Sequence, residues 1–96
     1  MLFALICTDK PDSIGLRMGV RPDHLKYLES LGGSIKAAGP FTTDDGSPTG
    51  TLAIIEAADH AAGKQIAAND PYAKAGLFAS VEIRPWKWVV KNPEAK

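Results

Sequence analysis

The sequence predicts a single α+β domain in which four antiparallel strands carry two helices on one face. Three observations predict it. Apolar runs of strand length alternate with stretches of helix length. Turn signals at Asp9-Lys10-Pro11, Gly32-Gly33, Asp45-Gly46 with Pro48, and Gly76 separate them. The runs come in the order strand, helix, strand, strand, helix, strand. A chain of 96 residues has room for one domain. Residues 1–90 are expected to form it, with 91–96 (KNPEAK) as a flexible tail.

LFALICT, residues 2–8, is the first strand, stopped by the turn residues Asp9-Lys10-Pro11. It falls well short of the roughly 20 apolar residues of a membrane helix and has no basic segment before it. Ser13 is placed to cap a helix that starts at Ile14. Arg21-Pro22 is expected to interrupt that helix, because proline has no N–H and disfavours helical geometry in the residue before it. Pro22 would then open a second segment to Leu31, with Leu25, Leu28 and Leu31 as its apolar stripe. Gly32-Gly33 ends it.

Residues 34–42 read as the second strand, where Gly39-Pro40 suggests a bulge or a close backbone approach. The segment from Thr42 to Thr49, with Asp45-Gly46 and Pro48, is a hairpin loop. Residues 50–57 form the third strand. Asp59 caps a helix over 60–68, and Asp70-Pro71 opens a short turn or helix over 71–75 that Gly76 closes. Residues 77–90 are the last strand, with a bulge expected at Pro85. The resulting order, βαββαβ, is the ferredoxin-like split βαβ arrangement.

The strands are apolar on both parities. Leu2, Ala4 and Ile6 oppose Phe3, Leu5 and Cys7, and Leu52 and Ile54 oppose Ala53 and Ile55. Two helices cover one face only. Burying the other is worth several kcal/mol at about 25 cal/mol per Å². A homodimer through the open sheet face is therefore expected, two sheets packing into a dimeric α+β barrel around a sheltered hollow.

Eleven basic residues balance eleven acidic ones. Zero net charge supplies no field for nucleic acid or an acidic membrane, so neither is an expected partner. The lone cysteine, Cys7, leaves no intramolecular disulfide and no Cys-based zinc site, and it favours a cytoplasmic location. Its mid-strand position marks it as an inert core residue. Two distant histidines without ligand spacing give no metal site, and no phosphate-binding glycine loop is present.

Arg17, Arg21 and His24 are spaced i, i+4 and i+7, one face of a continuous helix. A neutral imidazole can take or give a proton near pH 7. Arginines beside it could hold a carboxylate or enolate by forked hydrogen bonds. Taken alone, the three also fit a solvated surface. Asp70 has two readings: a helix N-cap before Pro71, or the group that orients His24. A carboxylate has two oxygens and can do both. Gly39 and Pro40 could offer backbone to a ligand, and Thr51 a hydroxyl, although threonine is common in strands. Tyr72 and Phe78 read as packing residues.

These pieces form an ordered set. Asp9-Lys10-Pro11 is followed by Arg17, Arg21-Pro22-Asp23-His24-Leu25, Ala38-Gly39-Pro40 and Gly50-Thr51. Asp70-Pro71-Tyr72, Ala75-Gly76-Leu77-Phe78 and Val81-Glu82-Ile83-Arg84-Pro85-Trp86 complete it. The set resembles the YciI-like (YCII-related) family across nearly the whole chain. The resemblance implies a ferredoxin-like dimeric α+β barrel and a His–Asp site at His24 and Asp70. It implies a cofactor-independent isomerase, lyase or dehydrochlorinase type of enzyme acting on a small anionic or cyclic molecule. On this reading Arg17, Arg21, Gly39, Pro40 and Thr51 bind the substrate, with no metal and no organic cofactor. The alternative is a non-catalytic small-ligand-binding or accessory dimer using the same cavity.

Overall fold

The computed structural model describes residues 1–94. Strand β1 (Leu2–Asp9) leads to helix α1 (Ile14–Ser30) and a 3₁₀ turn at Gly32–Ser34. Strands β2 (Ile35–Thr42) and β3 (Pro48–Glu56) follow as a hairpin. Helix α2 (His60–Asn69), the one-turn helix α3 (Pro71–Lys74) and strand β4 (Phe78–Trp86) complete the chain. The expected tail extends to residues 95 and 96, which lie outside the described residues. No helix among the described residues is long and apolar enough to cross a membrane.

All strand pairs are antiparallel, in the order β2-β3-β1-β4. The expected barrel is not what forms. β2 and β4 are the two edges, and the sheet is open rather than closed into a barrel. Four strands are too few to curl onto themselves around side chains, which takes about eight. Both edges carry a proline inside the strand, Pro40 in β2 and Pro85 in β4. Proline lacks a ladder donor, so each blunts the edge against a foreign strand.

Edge position also explains why neither proline makes the expected bulge. Pro40 stays in register with Thr51, and Pro85 with Phe3. An edge strand bonds on one side only, so a missing N–H on the free side interrupts nothing. The register shifts instead at Ile35/Ala37, Phe41/Thr42 and Thr8/Asp9. β4 stops at Trp86, short of the expected residue 90.

A close approach by a glycine occurs at Gly50 rather than Gly39. A Cβ at Gly50 would press into the Cys7 carbonyl oxygen, whereas one at Gly39 would meet nothing within 4 Å.

The expected break in α1 is absent too, for Pro22 sits inside a continuous 17-residue helix. Its missing N–H frees the Met18 carbonyl. Both residues are exposed, so water can satisfy that carbonyl and packing of the buried face holds the helix together. Ser13 precedes the helix but makes no capping bond; its hydroxyl donates to the Pro11 carbonyl. Asp59 and Asp70 do cap, accepting from the Ala62 and Tyr72 N–H groups.

The core lies between the sheet and its helices. Phe3, Leu5, Cys7, Ala53 and Ile55 form its sheet side, and Ala67 enters from α2. Burial pushes the Cys7 thiol up to about 12, with repulsion from the Asp70 and Asp9 carboxylates adding to it. The thiol therefore stays protonated and inert near neutral pH. On the opposite face, Ala4 pairs with Ile54 and Ile6 with Leu52. Leu52 and Phe41 remain 37% and 42% exposed. The apolar area centres on β1, β3 and β2, because β4 places Arg84 and Glu82 beside Ala4 and Ile6.

Candidate functional site

An unbroken α1 puts Arg17, Arg21 and His24 on one face. At about 100° per residue, Arg21 lies about 40° to one side of Arg17 and His24 about 20° to the other. Arg17 and His24 are buried, while Arg21 is exposed. They look across at β2 and β3. Between the helix and these strands lies a cavity of about 220 Å³. Gly39, Pro40 and Thr51 line it on the sheet side, and Met18, Leu25 and Leu28 on the helix side. The hollow expected between two sheets is thus on the other side of the sheet. One chain builds it alone, because α1 stands off the edge strand β2.

Asp70 reaches the site from the turn between α2 and α3. The His24 Nδ1 lies 2.9 Å from both of its carboxylate oxygens. A carboxylate only accepts, so Nδ1 carries the proton and donates. That leaves the Nε2 lone pair for the cavity. Oδ1 also accepts from the Tyr72 N–H at 2.9 Å. Both readings of Asp70 hold together: it caps α3 and fixes the imidazole. The pair is buried, its side chains 7% and 13% exposed. Pro71 opens α3 directly after the cap, where its missing N–H costs nothing.

A second buried pair stands beside the first. The Arg17 Nε donates to Asp9 Oδ2 at 2.7 Å, and Nη2 to Oδ1 at 3.3 Å. The same Nη2 donates to the Thr51 hydroxyl. These side chains of Arg17 and Asp9 are 5% and 7% exposed. Arg17 is therefore engaged inside the protein, and so is Thr51. The Tyr72 ring stacks on His24, with centroids 4.0 Å apart and planes 18° apart. The Arg17 guanidinium carbon lies 4.6 Å from the Tyr72 ring centre. Burial raises the Tyr72 phenol above its ordinary range, so it remains neutral at working pH.

The structure brings the seven residues singled out from the sequence to one place. His24, Arg17, Arg21, Gly39, Pro40 and Thr51 line the cavity, and Asp70 stands behind His24. Sequence reading passed over Asp9 and Tyr72. Asp9 looked like turn punctuation. Tyr72 looked like packing, but a signal was there: the second residue after an N-cap donates its N–H to the cap, which ties Tyr72 to Asp70. Among the described residues, no three His, Cys, Asp or Glu side chains converge to hold a metal.

Residues 1–87 match the YCII-related domain. The chain belongs to the YCII-related family. This family member is 36% identical over 97 residues to Protein YciI of Escherichia coli O6:H1, covering 93% of its own length and 99% of that protein. It is similar to the solved 5-chloro-2-hydroxyhydroquinone dehydrochlorinase from Burkholderia phenoliruptrix AC1100, in complex with 2,5-dihydroxybenzoquinone. That match has a TM-score of 0.82 and 38% identity, covering 91% of this YCII-related chain and 94% of the other. An antibiotic biosynthesis monooxygenase shares the fold alone, with a TM-score of 0.54 and 16% identity over 91% of this chain and 99% of that one.

Proposed function

We propose that this YCII-related protein is a small enzyme that moves protons with His24 and Asp70, in a lyase, isomerase or dehydrochlorinase type of reaction. The observation that carries the reading is the buried His24–Asp70 pair at the wall of a substrate-sized cavity. The likeness to a dehydrochlorinase supports it. The His24 Nε2 takes a proton from an O–H or acidic C–H of the substrate. The electron pair released forms a new double bond, and in an elimination the leaving anion departs with its own pair. In an isomerisation the imidazolium returns the proton at another carbon. Asp70 holds the ring and stabilises the imidazolium while it exists. The Gly39-Pro40 segment forms the wall opposite the helix. The reading needs no metal or organic cofactor.

The experiment is a titration of ¹⁵N-labelled protein with 2,5-dihydroxybenzoquinone. Saturable shifts of the His24 ring nitrogens are the expected result. Shifts confined to residues away from the cavity would count against the site.

The proposal includes a homodimer through the sheet face that the helices leave bare, supported by Leu52 and Phe41 at 37% and 42% exposure. Sedimentation is expected to give twice the 10.2 kDa chain mass at micromolar concentration. Leu52→Glu should release single chains, and a parent protein that sediments as a single chain would remove the dimer. A lone, buried, unreactive thiol suits a reducing cytoplasm. Neither nucleic acid nor membrane enters this reading.

A further inference from the structure

The charges around the cavity are unequally free. Arg17 is held by Asp9 and Thr51, and His24 by Asp70. The Arg17–Asp9 pair answers its own charge internally, and His24, donating its Nδ1–H to Asp70 with Nε2 free as a base, supplies no cation to the cavity. Arg21 lies one helical turn from each on the same face. It lines the cavity and is exposed, and among the described residues no carboxylate lies within ion-pair distance of it. None of the cavity-lining residues is acidic. The rest of the helix wall, Met18, Leu25 and Leu28, is apolar, and so is Pro40 opposite.

We infer that the substrate is a compact apolar ring bearing one negative charge, and that Arg21 alone reads that charge at the cavity mouth while Arg17 serves as an internal clamp. The inference rests on the proton-transfer reading for the place of the ring beside His24, and adds the charge and its receptor. The volume suits it: a cavity of about 150 Å³ holds benzene, and this one measures about 220 Å³. Sharing a guanidinium already held by a buried carboxylate would require a second anion to approach Asp9. Arg21 presents its full fork without that repulsion. The cation sits at the solvent end of the cavity, so an anion anchored there points its ring inward toward Nε2.

Benzoate and benzamide test this, since they share shape and differ in charge. Neither needs to react, so the result is independent of whether His24 is catalytic. Calorimetric titration of the full chain is expected to show saturable benzoate binding, tighter than benzamide and weakened by salt. Arg21→Met should weaken benzoate about tenfold, the scale of one charge-assisted contact, and leave benzamide within about twofold. Arg21→Lys should recover part of the loss. Benzoate binding that is unchanged in Arg21→Met overturns the proposal. So does a parent protein that prefers benzamide or shows no saturable benzoate binding. Failure of the proton-transfer reading would be seen elsewhere, in turnover by a His24 variant.

Discussion

His24→Gln is expected to reduce kcat/KM by about 10²- to 10⁴-fold, the range for losing a general acid–base. Glutamine keeps much of the volume and can still donate to Asp70, so the fold should survive. Circular dichroism and a denaturant melt close to the parent would confirm that the loss is chemical. Asp70→Asn should bring a loss of similar order by a different route. Its side-chain oxygen can still accept from the Tyr72 N–H and cap α3. Its NH₂ group, turned to His24, would force Nδ1 to accept and move the proton to Nε2. The ring would then offer the cavity a donor where the reaction needs a base. The two substitutions together should cost little more than either alone, because they disable one unit. Full turnover by either variant on a substrate that the parent converts would remove the pair from the mechanism.

Arg17→Met is expected to cost about 3–5 kcal/mol of stability, the scale for breaking a buried ion pair from one side. Asp9 would be left as a carboxylate 7% exposed with its partner gone, and the Thr51 hydroxyl would lose its donor. Asp9→Leu should destabilise in the same direction by stranding the guanidinium. Combining the two should recover much of the loss, since apolar groups of similar volume often replace a buried pair at little cost. Denaturant melts of the four proteins give the coupling directly. An Arg17→Met variant within about 1 kcal/mol of the parent would show that the pair does not hold β1 to α1, and would return Arg17 to the substrate.

These two results concern residues that the sequence displayed unequally. The dyad was legible because each partner left a separate trace: a histidine at helical spacing from two arginines, and an Asp-Pro helix start 46 positions later. The ordered family motifs joined them. The second pair left no such trace. Asp9 ends a strand in front of Lys10-Pro11 and reads as a turn, and nothing local says that an arginine eight residues on will fold back over it. Pro22 misled for a related reason. Local rules count its missing hydrogen bond, but Met18, whose carbonyl is freed, is an exposed residue that water can reach, and the helix is held by its buried face. Gly39 and Pro40 line the cavity, yet the glycine that the backbone demands is Gly50, where the Cys7 carbonyl of the neighbouring strand leaves no room for a Cβ.

From its order of residues alone this chain determined its strands and helices, its apolar two-sided sheet and the residue types gathered at the site. Those follow from short-range physics: side-chain periodicity, capping and the special geometry of Gly and Pro. Only the tertiary structure decided that the sheet stays open, that the cavity sits under α1 beside an edge strand, and that Arg17 is locked to Asp9 while Arg21 is left to the solvent. The reason is that charge and space are settled between segments distant in sequence. Whether an arginine is available to a ligand depends on which carboxylate folding brings against it.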